Sequence, residues 1–229
     1  MNVLFAFLVG LLAFIPPASY VLGQWEGQIK EMKTLHAKLS TIWYDVNGNP
    51  TQLDEELWLK RPGQMRRTLK TQRGRLDYFV TPARSIRISG GKSEAVPTLE
   101  AMGPVGIFYL PEGSRRLGAV LRQVGISTDA TRLTLQDRRI LYEIGQAGQA
   151  LAWFSKDDWL PAGVQVGGRE YRLTTNLPSR FAIPFPEIWE VLANQKRIEV
   201  SRTLSLETAA SIPDSVFDVN SLKGVAPKP

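Results

Sequence analysis

From Ala37 onward the chain runs as short segments rich in β-branched and aromatic residues, each closed by a turn signal. No other feature constrains the fold as much. AKLSTIWYDV (37–46) ends at Asn47-Gly48-Asn49-Pro50, and Asn-Gly between two such runs is a strong hairpin signal. TQLDEELWLKR (51–61) follows, closed by Pro62-Gly63, and then come QMRRTLKT (64–71), RLDYFVTP (75–82) and ARSIRISG (83–90). Further segments at 131–137, 138–146, 149–156, 162–168, 169–176, 180–192 and 197–207 bring the total to about 11–12 strands. Consecutive strands with short turns form an antiparallel meander, and so many must pack as a sandwich or curve into a barrel-like sheet. Pro184 and Pro186 cannot donate ladder hydrogen bonds, which puts the 180–192 segment at an edge or a bulge.

Two segments carry a helical period instead. Trp25, Ile29, Met32 and Leu35 share one face of a short amphipathic helix over 25–35. Leu117, Val120, Leu121 and Val124 give the i, i+3, i+4, i+7 stripe of a second helix over 114–124. Between strands and helix, residues 90–113 are rich in Gly and Pro with isolated apolar clusters, and read as a long irregular excursion. Helices with one apolar face need an apolar surface to cover. A curved sheet with helices plugging its concave side satisfies both.

The first 23 residues hold no charged side chain, and Val3 to Ile15 is a nearly unbroken apolar run followed by Pro16-Pro17 and small residues. That order is the one expected of a cleaved export signal, with Gly23 the preferred cleavage point and Ala18 or Ser19 the nearest alternatives. The domain organisation expected is therefore a signal over 1–23, one domain over 24–221 and a frayed tail over 222–229. The apolar run falls short of the roughly 20 residues that a membrane-spanning helix needs. The chain has no cysteine, which removes disulfides, thiol chemistry and a lipid anchor on the chain itself. Export without disulfides points to a bacterial periplasm.

Catalytic signals are missing. His36 is the sole histidine, so with no Cys an ordinary zinc site has no ligand set. Gly90-Gly91-Lys92-Ser93 resembles a phosphate loop only at its end, since the first glycine of that motif would fall on Ile86. There is no G-x-S-x-G nucleophile elbow. The carboxylates at Asp54-Glu55-Glu56 read as a solvent-facing strand edge, and Asp157-Asp158 as a solvated turn. The reading is of a binding protein, with no enzyme activity, metal or cofactor. The net charge of +6 is scattered rather than blocked, which suits anionic lipid surfaces better than nucleic acid.

LHAKLSTIWYDVNGNPTQLDEELWLKRPGQMRR (35–67) resembles the outer-membrane lipoprotein carrier family, the LolA-like proteins of the periplasm. The motif Leu57 to Gly63, Leu-Trp-Leu-Lys-Arg-Pro-Gly, is its most specific part. LRQVGISTDATRLTLQDRRILYEIG (121–145), WFSKDDWLPAGVQV (153–166) and the closing IPDSVFDV (212–219) are similar to later parts of family members. The resemblance implies an unclosed antiparallel β-barrel with a helical lid over a hydrophobic cavity that takes the acyl chains of lipoproteins. It implies that Arg61 hydrogen-bonds the lid and latches the empty cavity. Leu57 and Leu59 share the face of Arg61 by strand parity, and Met65 and Leu69 fit the inward positions of the next strand. With Leu117, Val120, Leu121 and Val124 as a lid face, these are the expected cavity-lining residues. The partners implied are a lipidated protein or lipid acyl chains, an inner-membrane release complex and an outer-membrane acceptor, for a monomeric carrier. A non-carrier module of the same fold, binding glycolipid or sensing lipoproteins, is the alternative. The sequence departs from the family pattern at Arg67, where an aromatic is usual, and over DYFVTPARSIRISGGKSE and 90–113.

Overall fold

The computed structural model describes residues 15–71 and 74–222. The expected apolar run, except for Ile15, and the tail beyond Leu222 lie outside them. Thirteen strands form one antiparallel sheet: β1 (Thr34–Tyr44), β2 (Pro50–Lys60), β3 (Gln64–Thr71), β4 (Gly74–Val80), β5 (Ser85–Ser89), β6 (Lys92–Ala95), β7 (Thr131–Gln136), β8 (Arg139–Gly145), β9 (Leu151–Ser155), β10 (Pro161–Val166), β11 (Arg169–Thr174), β12 (Ile188–Ala193) and β13 (Lys196–Thr208). The order across the sheet is β6-β5-β4-β3-β2-β1-β13-β12-β11-β10-β9-β8-β7. Two meanders are thus welded by the β1–β13 ladder, and β6 and β7 are left as edges, so the barrel is not closed. Register shifts at Lys38/Leu39 and at Val191/Leu192 lie close to this weld. Such bulges increase local twist and bend the sheet around its concave face.

The expected strands form, with one addition. The Asn47-Gly48 turn closes as read, with Gly48 N–H on the Asp45 carbonyl at 2.9 Å and the Asp45 carboxylate accepting from Asn47 and Asn49. The strand expected over 180–192 begins only at Ile188 and lies between β11 and β13, inside the sheet rather than at an edge, and of the two alternatives it carries the bulge, at Val191/Leu192. Pro184 and Pro186 precede the ladder, where a missing donor costs nothing.

Three α-helices occur among the described residues: α1 (Ala18–Ile29), α2 (Thr98–Tyr109) and α3 (Ser114–Gln123). The helix expected over 25–35 is displaced toward the N-terminus. Its stripe runs back from Ile29 and Trp25 to Leu22, Val21 and Ala18, all buried. Pro17 stands at its N-cap, where a residue with no free N–H does no harm. Gly23 therefore lies in the middle of α1. At the other end Leu35, expected on the helix, is the second residue of β1.

The 90–113 segment is not an irregular excursion. It forms β6, the thirteenth strand, and α2. Every residue of α2 from Ala101 to Tyr109 is buried, so the helix shows no polar face and no amphipathic period. It also breaks at Gly103, whose φ of 56° no β-branched residue would adopt, just before Pro104. Gly106 lets the helix lie against the sheet, since a Cβ there would stand 2.9 Å from the Met65 sulfur.

One core fills the space between the concave face and the helices. Trp25 Nε1 donates to the Phe108 carbonyl at 3.2 Å, and Trp25, Tyr109 and Phe185 meet edge to face at 5.1 Å between successive centroids. The convex face is covered locally by the C-terminal segment, with 3₁₀ turns at Asp214–Phe217 and Val219–Leu222. Arg66 lies between the rings of Trp58 and Phe79, is held by Asp77 at 3.0 Å, and donates to the Val216 carbonyl. Met65 through Leu69 is consequently buried on both faces of β3.

Candidate functional site

The concave face and its helical cover form the candidate binding site. Alternation along β2 buries Leu53, Glu55, Leu57 and Leu59 on one face. Leu57 and Leu59 are 1% and 0% exposed, and Met65 and Leu69 on β3 are 2% and 0%. All four join the cluster that includes Trp25, Met102 and Phe108 from the helices. On α3, Leu117 and Leu121 are fully buried, while Val120 and Val124 are half-buried at its margin.

Arg61 follows β2 on the same face, and its side chain is wholly buried. Nε donates to the Pro111 carbonyl at 2.9 Å, and Nη2 donates to the same oxygen. Nη1 donates to the carbonyls of Ile29 at 2.8 Å and Met32 at 3.2 Å, and Nη2 to Glu26 at 2.6 Å. Glu26 Oε1 also accepts from the Gly113 N–H at 2.9 Å. One guanidinium therefore gathers the C-terminal end of α1 and the α2–α3 connection onto the end of β2. The Ile29 carbonyl ends α1 and also accepts from the Met32 N–H at 3.0 Å, and Arg61 adds charge-assisted bonds to it and to the Met32 carbonyl just beyond the helix.

A second buried cation, Arg67 on β3, faces the same concave side. Arg67 Nε pairs with Glu55 at 2.5 Å, and Nη2 pairs with Glu199 on β13 at 2.7 Å. Thr41 donates to Glu55 at 2.5 Å and contacts Ser201, and Trp43 Nε1 donates to Glu199 at 2.9 Å. Burial opposes the charge on Arg67, but attraction to Glu199 and Glu55 and the hydrogen bonds to both outweigh it, holding the guanidinium's pKa above its ordinary value. Glu55, expected on a solvent-facing edge, is 1% exposed inside the barrel, because the odd positions of β2 face inward. Asp157-Asp158 forms a turn, as expected. The broken centre of α2 covers this cluster, leaving about 10 Å³ between Glu55, Arg67, Trp189 and the Gly103–Pro104 break.

His36 lies on the convex face of β1, stacked on Trp58 at 5.3 Å, with its Nε2 buried and unpartnered. No cluster of three or more metal-ligating side chains occurs among the described residues.

Sequence reasoning missed Glu26, Pro111 and Gly113 around Arg61, and Glu55 and Glu199 around Arg67. The out-of-pattern Arg67 was the one available signal, since a cation at an inward position of a buried strand needs carboxylates facing it.

No family model matches the sequence, and no curated protein matches it. Solved structures do. The LolA superfamily protein of Nitrosomonas europaea aligns over 91% of this chain and 100% of its own, with a TM-score of 0.61 at 8% identity. An outer membrane lipoprotein-sorting protein domain from Vibrio parahaemolyticus aligns over 90% of this chain and 97% of its own, with a TM-score of 0.56 at 10% identity. At such identities the likeness is one of fold, and in fold the chain is LolA-like.

Proposed function

We propose that the chain is an exported carrier that holds the acyl chains of a lipidated protein, or of another lipid, between the concave face of its sheet and the lid formed by α1, α2 and α3. The observation that carries this reading is Arg61, a single buried cation on the sheet whose acceptors all belong to the lid. A group bonded only to backbone carbonyls and one carboxylate of another layer is a fastening, and it can be undone without disturbing the strand ladders. The concave interior is packed, so cargo enters by displacing the helices. The cargo is then held by apolar burial, at about 0.8 kcal/mol per CH₂. Leu57, Leu59, Met65 and Leu69 form the wall and Leu117, Val120, Leu121 and Val124 the lid face. The fold neighbours, one of which is a lipoprotein-sorting domain, support this reading. A periplasmic location, with donor and acceptor complexes at the two membranes, and binding without catalysis accord with it.

The test is uptake and release of an acylated cargo by the delipidated protein. The wild type should take up cargo and pass it on, and Arg61→Leu should retain it, because the empty closed state loses its fastening. Unchanged transfer by Arg61→Leu would remove the latch from the mechanism. Absence of any acyl ligand in native mass spectrometry, together with failure to take one up, would instead favour a non-carrier module of this fold.

A further inference from the structure

A groove of about 480 Å³ opens at the margin of the lid, between the β4–β5 connection and helices α2 and α3. This lies within the roughly 300–1,000 Å³ of small-molecule sites. Its walls are mostly apolar, with Val80 at the end of β4, Met102 on α2 and Val120 on α3. Pro111, whose carbonyl is held by Arg61, also lines it. Two cations stand on the lining, Arg84 and Arg116, and no carboxylate does. Arg84 is exposed and forms no ion pair among the described residues. Arg116 is 60% exposed in its side chain and reaches only Glu112, at 4.0 Å, while that carboxylate is engaged by Lys33 at 2.5 Å.

An apolar trough carrying two under-neutralised guanidinium groups is complementary to a molecule with a hydrocarbon chain and an anionic head. Guanidinium binds carboxylate and phosphate oxygens through paired N–H donors. We infer that this groove receives a single-chain anionic amphiphile, its carboxylate or phosphate head between Arg84 and Arg116 and its chain along Val80, Met102 and Val120 toward the lid. The inference rests on the carrier reading and narrows it: the preferred cargo bears a negative charge at the root of its acyl chain. Because Pro111 belongs both to the groove and to the Arg61 fastening, an occupant here touches the segment that must move for the lid to open.

The experiment compares three probes sharing one oleoyl chain, oleate, 1-oleoyl-lysophosphatidate and uncharged monoolein, titrated calorimetrically into the delipidated full chain at low salt. Oleate, lysophosphatidate or both should bind about tenfold more tightly than monoolein, the size expected of two partly exposed charge contacts. A preference confined to lysophosphatidate assigns the head to phosphate, and one shared by both assigns it to any anion. In Arg84→Glu/Arg116→Glu the preference should vanish while monoolein affinity stays unchanged, and in the wild type it should shrink with added salt. Both positions are exposed, so unchanged thermal melting of the double variant shows that folding is intact. Equal affinity for all three probes, or a preference that survives the double substitution, overturns this inference and leaves the carrier reading standing. Binding of none of the three overturns this inference, and the carrier reading falls with it where the same protein also fails to take up acylated protein.

Discussion

Arg61 and Arg67 are six positions apart and both are buried, yet they serve different layers. Arg61 bonds the lid. Arg67 bonds only the sheet, tying β3 to β2 and, past β1, to β13. It acts as a strut across the concave face where the two meanders are joined. A buried ion pair contributes little net stability compared with well-packed apolar side chains, but removing one partner leaves a bare charge in the interior. Arg67→Leu, which leaves the buried Glu55 and Glu199 without their shared cation, should therefore destabilise the protein by about 3–5 kcal/mol, read as a lowered midpoint in urea unfolding. Replacing Arg67, Glu55 and Glu199 together with apolar residues should recover most of that loss. If the triple replacement is as unstable as the single one, volume rather than charge is what the site requires. The sequence disclosed half of this arrangement. Arg67 stood out as a cation where the family pattern has an aromatic, but Glu199 lies 132 positions away, and only the β1–β13 pairing brings it near.

Among the elements, the strands were the most legible, because a sheet buried on one face alternates and its turns announce themselves with Asn-Gly or Pro-Gly. The helices were less so, for two separate reasons. α2 is buried on every side and interrupted at Gly103-Pro104, so nothing in its sequence has a helical period. α1 was read too late in the chain because its first turns overlap the segment assigned to export. Ala18, Val21 and Leu22 are each 2% exposed or less and pack in the main core. Cleavage at Gly23 would remove all three, whereas cleavage before Ala18 would keep the stripe whole. A protein beginning at Gln24 should be less stable than one beginning at Pro17 by about 2–5 kcal/mol, the cost of emptying comparable core sites. Chemical denaturation of the two forms measures it. Equal stability would show that α1 contributes no more than its last two turns, and would leave Gly23 as good a cleavage point as any upstream.

At the scale of the whole molecule, the sheet and the lid are held by different forces. The thirteen strands are joined by continuous ladders, and their register resists local opening. The lid is joined to the sheet by apolar packing, which is indifferent to small displacements, by the buried directional bonds of Arg61, and by single polar contacts of Gln28 with the Asp158 carbonyl, Glu100 with Arg87 and Tyr109 with the Pro184 carbonyl. A molecule built in this way has two cooperative units whose opening energies differ. Losing Arg61 removes hydrogen bonds to a charged group, worth about 1.5–3 kcal/mol each before relaxation, and a net loss of about 3 kcal/mol would raise the open population roughly a hundredfold. Hydrogen exchange in Arg61→Leu should therefore accelerate by about that factor in α1 and in the 111–113 connection, while the amides of the β1–β13 and β1–β2 ladders keep their wild-type rates. Exchange that accelerates equally in lid and sheet would show a single cooperative unit. Arg61 would then be a determinant of global stability, and the barrel would have to unfold for cargo to enter.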